Sequence, residues 1–256
     1  MTIDILAAIW YNSSVIRDTT NPNPYTERNN SMVTVNGKFI RRKLFLIIDT
    51  ETFNGLDNPY CYDIGMAVID KTGQVYAKYS FVVHDTFIGM AEQCATAYYA
   101  SKFPQYHADL RSGKRILMRW EDIIKLANAL CEKWNISDAV AHNAQFDCKS
   151  TNNTSRLLGY SAFFKRHIEW WDTLQMAADT ICKQKSYRRF CEENGYMTKH
   201  KTPRPQMKAE VIYRYISGKN DFVESHTGLE DVMIEKEIFA KCWRQHKAMK
   251  HSFYVF

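Results

Sequence analysis

The run Leu44-Phe-Leu-Ile-Ile48 sits between the basic triplet Arg41-Arg-Lys43 and the acidic Asp49-Thr-Glu51. Five apolar residues with no polar alternation read as a strand buried on both faces, not as one side of a half-wetted sheet. Such a strand needs partner strands and covering helices. The neighbouring sequence supplies both. Tyr62 to Asp70 and Val75 to Val83 read as strands joined through Lys71-Thr72-Gly73, and Ala139 to His142 as a further short strand. Met32 to Val35 and Lys38 to Arg41 read as a hairpin, because Asn36-Gly37 suits a two-residue type I′ turn. Ile123, Ile124, Ala127, Leu130, Cys131 and Trp134 share one face at helical spacing, which predicts an amphipathic helix over Trp120 to Trp134. Helices are also expected in parts of 86–111, where Met90, Cys94, Ala97 and Tyr98 have helical spacing, and over Phe146 to Leu158, Leu174 to Ile181, Met207 to Ile216 and Leu229 to Trp243. Hairpin strands followed by helix-strand alternation describe an α/β fold with a mixed sheet.

Composition narrows the class further. At 256 residues, 45% hydrophobic and 24% charged, the chain is neither wholly disordered, collagen-like nor a coiled-coil rod. Its seven cysteines include no Cys-x-x-Cys pair, which argues against a disulfide framework or zinc ribbon and for a reducing compartment. Cys182, Cys191 and His200 match no standard zinc spacing. The start Met-Thr-Ile-Asp lacks the positive region of a signal peptide, and no run approaches 18 apolar residues. A cytoplasmic protein without membrane contact is expected. Residues 1–31, with Asn-Pro-Asn-Pro at 21–24, read as a partly irregular appendage. Residues 32–256 read as a single domain with a basic insertion around 183–222.

The net charge is +6, and its position matters more than its size. Residues 183–208 hold eight Lys/Arg against two Glu, which is the whole excess. Lys183, Lys185, Arg188 and Arg189, interleaved with Tyr187 and Phe190, can attract a polyanion and offer faces for base stacking. A solvated loop and helix face would show the same composition.

Three acidic motifs follow strands or open helices. Asp49 and Glu51 are two apart, so an extended strand turns both to one side, where they can face one metal. They could also simply solubilise a turn. Asp147, in His142-Asn-Ala-Gln-Phe-Asp147, follows a short strand, where a helix-capping aspartate is common. His226 and Asp231, in His226-Thr-Gly-Leu-Glu-Asp231, lie within about one and a half helical turns and can address one site. Each taken alone has an ordinary structural explanation.

In this order the motifs resemble those of the DEDDh family of 3′→5′ exonucleases, which includes RNase T and the proofreading subunit of bacterial replicative polymerases. Ile47-Ile-Asp-Thr-Glu-Thr52 matches the first motif, His142 to Asp147 the second and His226 to Asp231 the third, and Asp172-Thr-Leu174 resembles a feature following the second. The likeness spans roughly residues 43–243; the amino-terminal appendage and the basic insertion depart from it. It implies a ribonuclease H-like fold, a mixed central sheet flanked by helices, and a metal-dependent 3′→5′ exonuclease. Removal of nucleotides from single-stranded DNA ends is the leading reading, DNA being favoured over RNA, and an RNA 3′-end trimmer with the same machinery is the close alternative. The likeness also implies two Mg²⁺ ions, or Mn²⁺. Carboxylates are the hard oxygen ligands such ions take. On this resemblance Asp49 bridges both ions, Glu51 and Asp231 hold the ion on the nucleophile side, Asp147 supports the other, and His226 is the general base. Thr50, Thr52, Phe53, His142 and Asn143 are the candidate substrate contacts beside the acids, with Lys183, Lys185, Arg188 and Arg189 further along the strand. Phe53 reads equally well as a base-stacking or a core aromatic. A non-catalytic nucleic-acid-binding module of the same fold has no need of all four carboxylates plus the histidine.

Overall fold

The computed structural model describes residues 32–35 and 38–253. The expected appendage, the Asn36-Gly37 turn and residues 254–256 lie outside the described residues. Strands β1 (Met32–Val35) and β2 (Lys38–Arg41) pair antiparallel with Val35 opposite Lys38, as a hairpin requires, and form a sheet of their own.

The main sheet has six strands: β3 (Leu44–Phe53), β4 (Tyr60–Asp70), β5 (Val75–Val83), β6 (Ile116–Met118), β7 (Asp138–Ala141) and β8 (Glu169–Asp172). Their spatial order is β6-β5-β4-β3-β7-β8. β3, β4 and β5 form an antiparallel meander, while β7 joins β3, β8 joins β7 and β6 joins β5 in parallel. The helices are α1 (His84–Phe87), α2 (Ala91–Cys94), α3 (Phe103–Ser112), α4 (Trp120–Lys133), α5 (Ala144–Leu157), α6 (Thr173–Asp179), α7 (Lys185–Glu193), α8 (Ala209–Ser217) and α9 (Gly228–Arg244). This is the ribonuclease H-like α/β layout: a mixed sheet with helices on both faces.

The apolar run of β3 feeds two cores by simple alternation. Leu44, Leu46 and Ile48 pack with Ile123, Ala127, Leu130 and Cys131 of α4. Phe45 and Ile47 pack on the other face with Val232, Ile238 and Phe239 of α9 and Met176 of α6. Fully burying each such side chain contributes about 1.5–3 kcal/mol. The amphipathic pattern of α4 therefore does what its spacing predicts, and its start is fixed by the Trp120 N–H donating to Asp85 Oδ2 at 2.6 Å.

α5 has a different logic. Its buried face carries Ser150, Thr151, Thr154 and Ser155 rather than large apolar residues. Thr151, Thr154 and Ser155 donate to carbonyls four residues earlier, at 2.7–2.9 Å. Thr154 Oγ1 then accepts the Cys61 N–H at 2.8 Å. Small satisfied hydroxyls let this helix lie close against the sheet without stranding a polar group.

Locally the structure goes beyond these expectations. The strand read from the run Leu44 to Ile48 extends as β3 to Phe53, with a bulge between Glu51 and Thr52. Residues 84–112 break into α1, α2, a 3-10 turn at Ala100–Lys102 and α3, instead of keeping one helical phase. Pro104 suits the first turn of a new helix, and Tyr98, expected on the apolar face, is 89% exposed. β6, only three residues long, is too short to leave a periodic signature.

Candidate active site

The sheet parity that sorts the core also aims the first acids. Asp49 and Glu51 continue the series Phe45, Ile47, so they face the α9 side. What lets α9 reach them is a pair of glycines. Asp49 is paired with Gly65 on β4, and Gly65 touches Gly228, the first residue of α9. A Cβ on Gly65 would fall 2.2 Å from the Gly228 carbonyl carbon, and one on Gly228 would fall 2.5 Å from the Gly65 nitrogen and 3.2 Å from the Asp49 oxygen. The backbones meet where side chains would otherwise separate them, and Asp231 follows within one turn.

The loop before α9 is anchored by a buried polar network. The Gly228 N–H donates to Asp63 Oδ2 at 2.8 Å, and the Tyr106 hydroxyl donates to the same oxygen at 2.7 Å. Arg115, 2% exposed, lies 3.4 Å from Asp63 and donates to Ser80 Oγ at 2.8 Å, Asp109 at 3.1 Å and Glu230 Oε2 at 2.6 Å. One guanidinium thus ties the sheet, α3 and the first turn of α9 together. The Thr227 N–H donates to Asp231 Oδ2 at 2.9 Å, which fixes that carboxylate.

Asp147 arrives from the other side. The short strand β7 ends at Ala141, Asn143 turns the chain in the left-handed region (φ +65°), and α5 begins. The Asn143 N–H donates to Asp172 Oδ1, which also accepts from the Leu174 N–H, each at 2.9 Å. Asp172 therefore joins this turn to the start of α6. Asp147 Oδ1 accepts from both the backbone N–H (3.0 Å) and the hydroxyl (2.8 Å) of Thr50.

All four motif acids sit in a low-dielectric, mutually repulsive environment. Burial is the largest cause for each. It raises Asp147 to about 7 against the hydrogen bonds from Thr50, and Asp231 to about 8 with help from Glu224. Asp49 and Glu51 are raised well above the carboxylate range by burial and then by neighbouring acids, Glu235 foremost for Asp49 and Asp231 for Glu51. Among the described residues Asp49 Oδ2 is enclosed without a hydrogen-bond partner. A bound cation relieves both conditions, since it supplies a partner and reverses the electrostatics. Ligand atoms of Glu51, His226 and Asp231 come within 4.8 Å of one another, and oxygen donors dominate the set. The residues present fit a divalent ion.

His226 stands at the rim with its side chain 34% exposed. Its backbone is in the left-handed region at φ +49°, an uncommon conformation for a residue with a Cβ. The ring stacks on Tyr99, centroids 4.3 Å apart and planes 13° apart, and Nδ1 lies 3.8 Å from Glu224 Oε2. Burial lowers its pKa, and the charges of Lys102 and Lys208 act in the same direction. Both effects favour the neutral imidazole, the form that can accept a proton.

The remaining expected contacts divide. Thr50 is spent on Asp147 and Ser150. Phe53, 3% exposed, belongs to the core with Tyr62, Val82 and Phe87, so the packing reading holds and it offers no face for stacking. His142 uses both ring nitrogens inside the protein, Nδ1 with Thr173 Oγ1 and Nε2 with the Met207 carbonyl, each at 2.9 Å. It braces α6 and the approach to α8 rather than presenting a ring to a substrate. Thr52, half-buried, lies just past the bulge. In the basic segment Lys183 pairs with Asp179 at 2.7 Å and Arg188 with Glu192 at 2.8 Å, while Tyr187 and Cys191 turn inward to the core. Sequence reasoning missed Asp63, Arg115, Glu224, Glu235 and Tyr99.

No family model and no curated protein matches the sequence. Among solved structures the chain is similar to E. coli exonuclease I in a zinc-bound complex with single-stranded DNA, at 14% identity and a TM-score of 0.47, covering 80% of this chain and 41% of that one. It is similar to the same enzyme with a dA16 oligonucleotide at 15% identity and a TM-score of 0.47, covering 77% of this chain and 40% of that one. A product-bound exonuclease I gives 14% identity and a TM-score of 0.47, with 80% and 44% covered. The chain spans about two-fifths of the length of these proteins.

Proposed function

We propose that this chain is a divalent-metal-dependent 3′→5′ exonuclease of the DEDDh type. On this reading it hydrolyses phosphodiester bonds at the 3′ end of single-stranded DNA and releases nucleoside monophosphates. One observation carries the reading: the acids of three separate motifs, Asp49 and Glu51 from β3, Asp147 from α5 and Asp231 from α9, gather in one cluster, three of them buried and Asp49 partly so, with a histidine at its rim. A fold needs no such concentration of desolvated carboxylates for stability, and perturbed groups of this kind mark functional sites.

Asp49, Glu51, Asp147 and Asp231 would hold two Mg²⁺, or Mn²⁺. Bound there, such ions supply an activated water and stabilise the charge on the leaving 3′ oxygen. Thr50 keeps Asp147 oriented through two hydrogen bonds, and the Thr227 N–H does the same for Asp231. With Nδ1 turned toward Glu224, Nε2 of His226 takes the proton from the attacking water. The stack on Tyr99 holds the ring in place for that transfer.

The test is to incubate wild type, Asp49→Ala and His226→Ala with Mg²⁺ and matched end-labelled DNA and RNA strands. Asp49→Ala, or EDTA on wild type, should abolish hydrolysis, and undiminished product ladders from either would sink the assignment. His226→Ala should keep Mn²⁺ and strand affinity and lose about 10²- to 10⁴-fold in single-turnover rate. A variant that binds metal far more weakly yet turns over normally at saturating metal makes His226 a ligand instead. A ladder on RNA alone reassigns the substrate.

A further inference from the structure

The helix that delivers Asp231 carries another acid one turn on. Glu235 is four residues after Asp231 on α9, so the two share a face. Its neighbours in that stripe, Val232, Ile238 and Phe239, are fully buried core residues. Glu235 itself is 3% exposed, and its Oε2 is enclosed with no hydrogen-bond partner among the described residues. A carboxylate in such a place is strongly disfavoured unless something compensates it.

The protein compensates it only in part. The His142 backbone N–H favours the charged form, while Asp147, Asp231 and Glu224 oppose it, and Glu235 is in turn the strongest charge acting on Asp49. Two of the cluster acids have donors: Asp147 has Thr50, and Asp231 has Thr227 and Ser225. Asp49 Oδ2 and Glu235 Oε2 are both enclosed without one among the described residues. One comes from the sheet and one from the helix packed on it. Buried polar atoms in native proteins are satisfied almost without exception, so two unpartnered oxygens electrostatically coupled across one layer boundary point to a shared partner of positive charge.

We propose that Glu235 is a fifth carboxylate of the cation site, sharing a divalent ion with Asp49. This rests on the metal-dependent reading above and adds a ligand that the four motif acids do not include. The lining on the α9 side is then built by an i, i+4 pair, Asp231 and Glu235, from one rigid helix.

The experiment measures Mn²⁺ binding by calorimetry and thermal unfolding with and without Mn²⁺, on metal-stripped full-length wild type, Glu235→Gln and Asp49→Asn. Glu235→Gln should fold with a metal-free Tm at or above wild type, because repulsion is relieved. Its Mn²⁺ affinity should fall roughly 10- to 100-fold, with a smaller metal-induced rise in Tm. Wild-type affinity, stoichiometry and Tm rise in Glu235→Gln would overturn the proposal. So would a metal-free Glu235→Gln that shows no cooperative transition, since the acid would then serve the fold without any ion. If wild type binds no Mn²⁺, the metal-dependent function itself falls. If Asp49→Asn loses binding while Glu235→Gln matches wild type, only the role of Glu235 falls.

Discussion

Raising pH should destabilise the metal-free protein, and the site acids set the size of the effect. Asp231 is raised from 3.8 to about 8 and Asp147 from 3.8 to about 7, in both cases chiefly by burial. A folded-state pKa above the unfolded one means the native state holds its proton more tightly. The associated stability is fully present below the unfolded pKa and is lost as pH rises through the folded value. For Asp231 alone, the loss between pH 6.5 and 8 is ~1.5 kcal/mol, and with Asp147 included it is about 2.5 kcal/mol. For a chain of this size that corresponds to a fall in Tm of roughly 5–10 °C. His142 and His226, both lowered mainly by burial, act in the opposite sense at the acid end of this window. The buried thiols, raised by burial, act in the same sense as the acids at its alkaline end.

Comparison with Asp231→Asn removes those background contributions. Thermal and urea unfolding in EDTA, at constant ionic strength, should show wild type losing ~1.5 kcal/mol more than Asp231→Asn across this window. Saturating Mn²⁺ should cancel or invert the wild-type trend, because metal binds the deprotonated carboxylates. Equal pH slopes for the two proteins in EDTA, or a wild type that gains more stability than the variant, would refute the argument that burial holds Asp231 protonated.

Three further outcomes follow from the surrounding structure. Gly228→Ala should destabilise the fold by about 1–3 kcal/mol, the range for overpacking, and reduce metal binding, read by denaturation and Mn²⁺ titration, because its Cβ meets the Gly65 nitrogen at 2.5 Å. Arg115→Met should cost about 3–5 kcal/mol in urea unfolding, since it leaves Asp63 buried without its cation; a loss under 1 kcal/mol would mean that Tyr106 and Gly228 satisfy Asp63 on their own. Neutralising Lys183, Lys185, Arg188 and Arg189 should flatten the salt dependence of single-strand binding by up to about 0.7 per lost phosphate contact. Lys183 and Arg188 already pair with Asp179 and Glu192, so the total should fall short of four full contacts.

Features written into periodicity or strand register were legible from the sequence. The uninterrupted run at 44–48 located the central strand, and the 3.6-residue repeat at 120–134 located α4 to within a residue. The acids of the three motifs were readable because each lies within a regular element, Asp49 and Glu51 in β3 and Asp147 and Asp231 in the first turns of α5 and α9, so its direction is set by the element. The breaks at 84–112 were not legible, because short helices that pack against one end of β3, β4 and β5 keep scattered apolar residues with no common phase. Arg115 was invisible for a related reason. It lies between α3 and β6, and only the fold brings Asp63, Asp109 and Glu230 to it.

Glu235 and Asp63 differ from Arg115 because a signal was present. Asp63 is a charged residue inside the strand Tyr60–Asp70, and Glu235 falls on the same helical stripe as Val232, Ile238 and Phe239. Charged residues are almost never fully buried without a partner. A carboxylate that breaks an apolar pattern therefore announces a partner that the pattern itself does not contain. For Asp63 the fold supplies that partner as Arg115. For Glu235 the charges acting on it are those of Asp147, Asp231 and Glu224, all acids, and this is why we propose a cation as its partner.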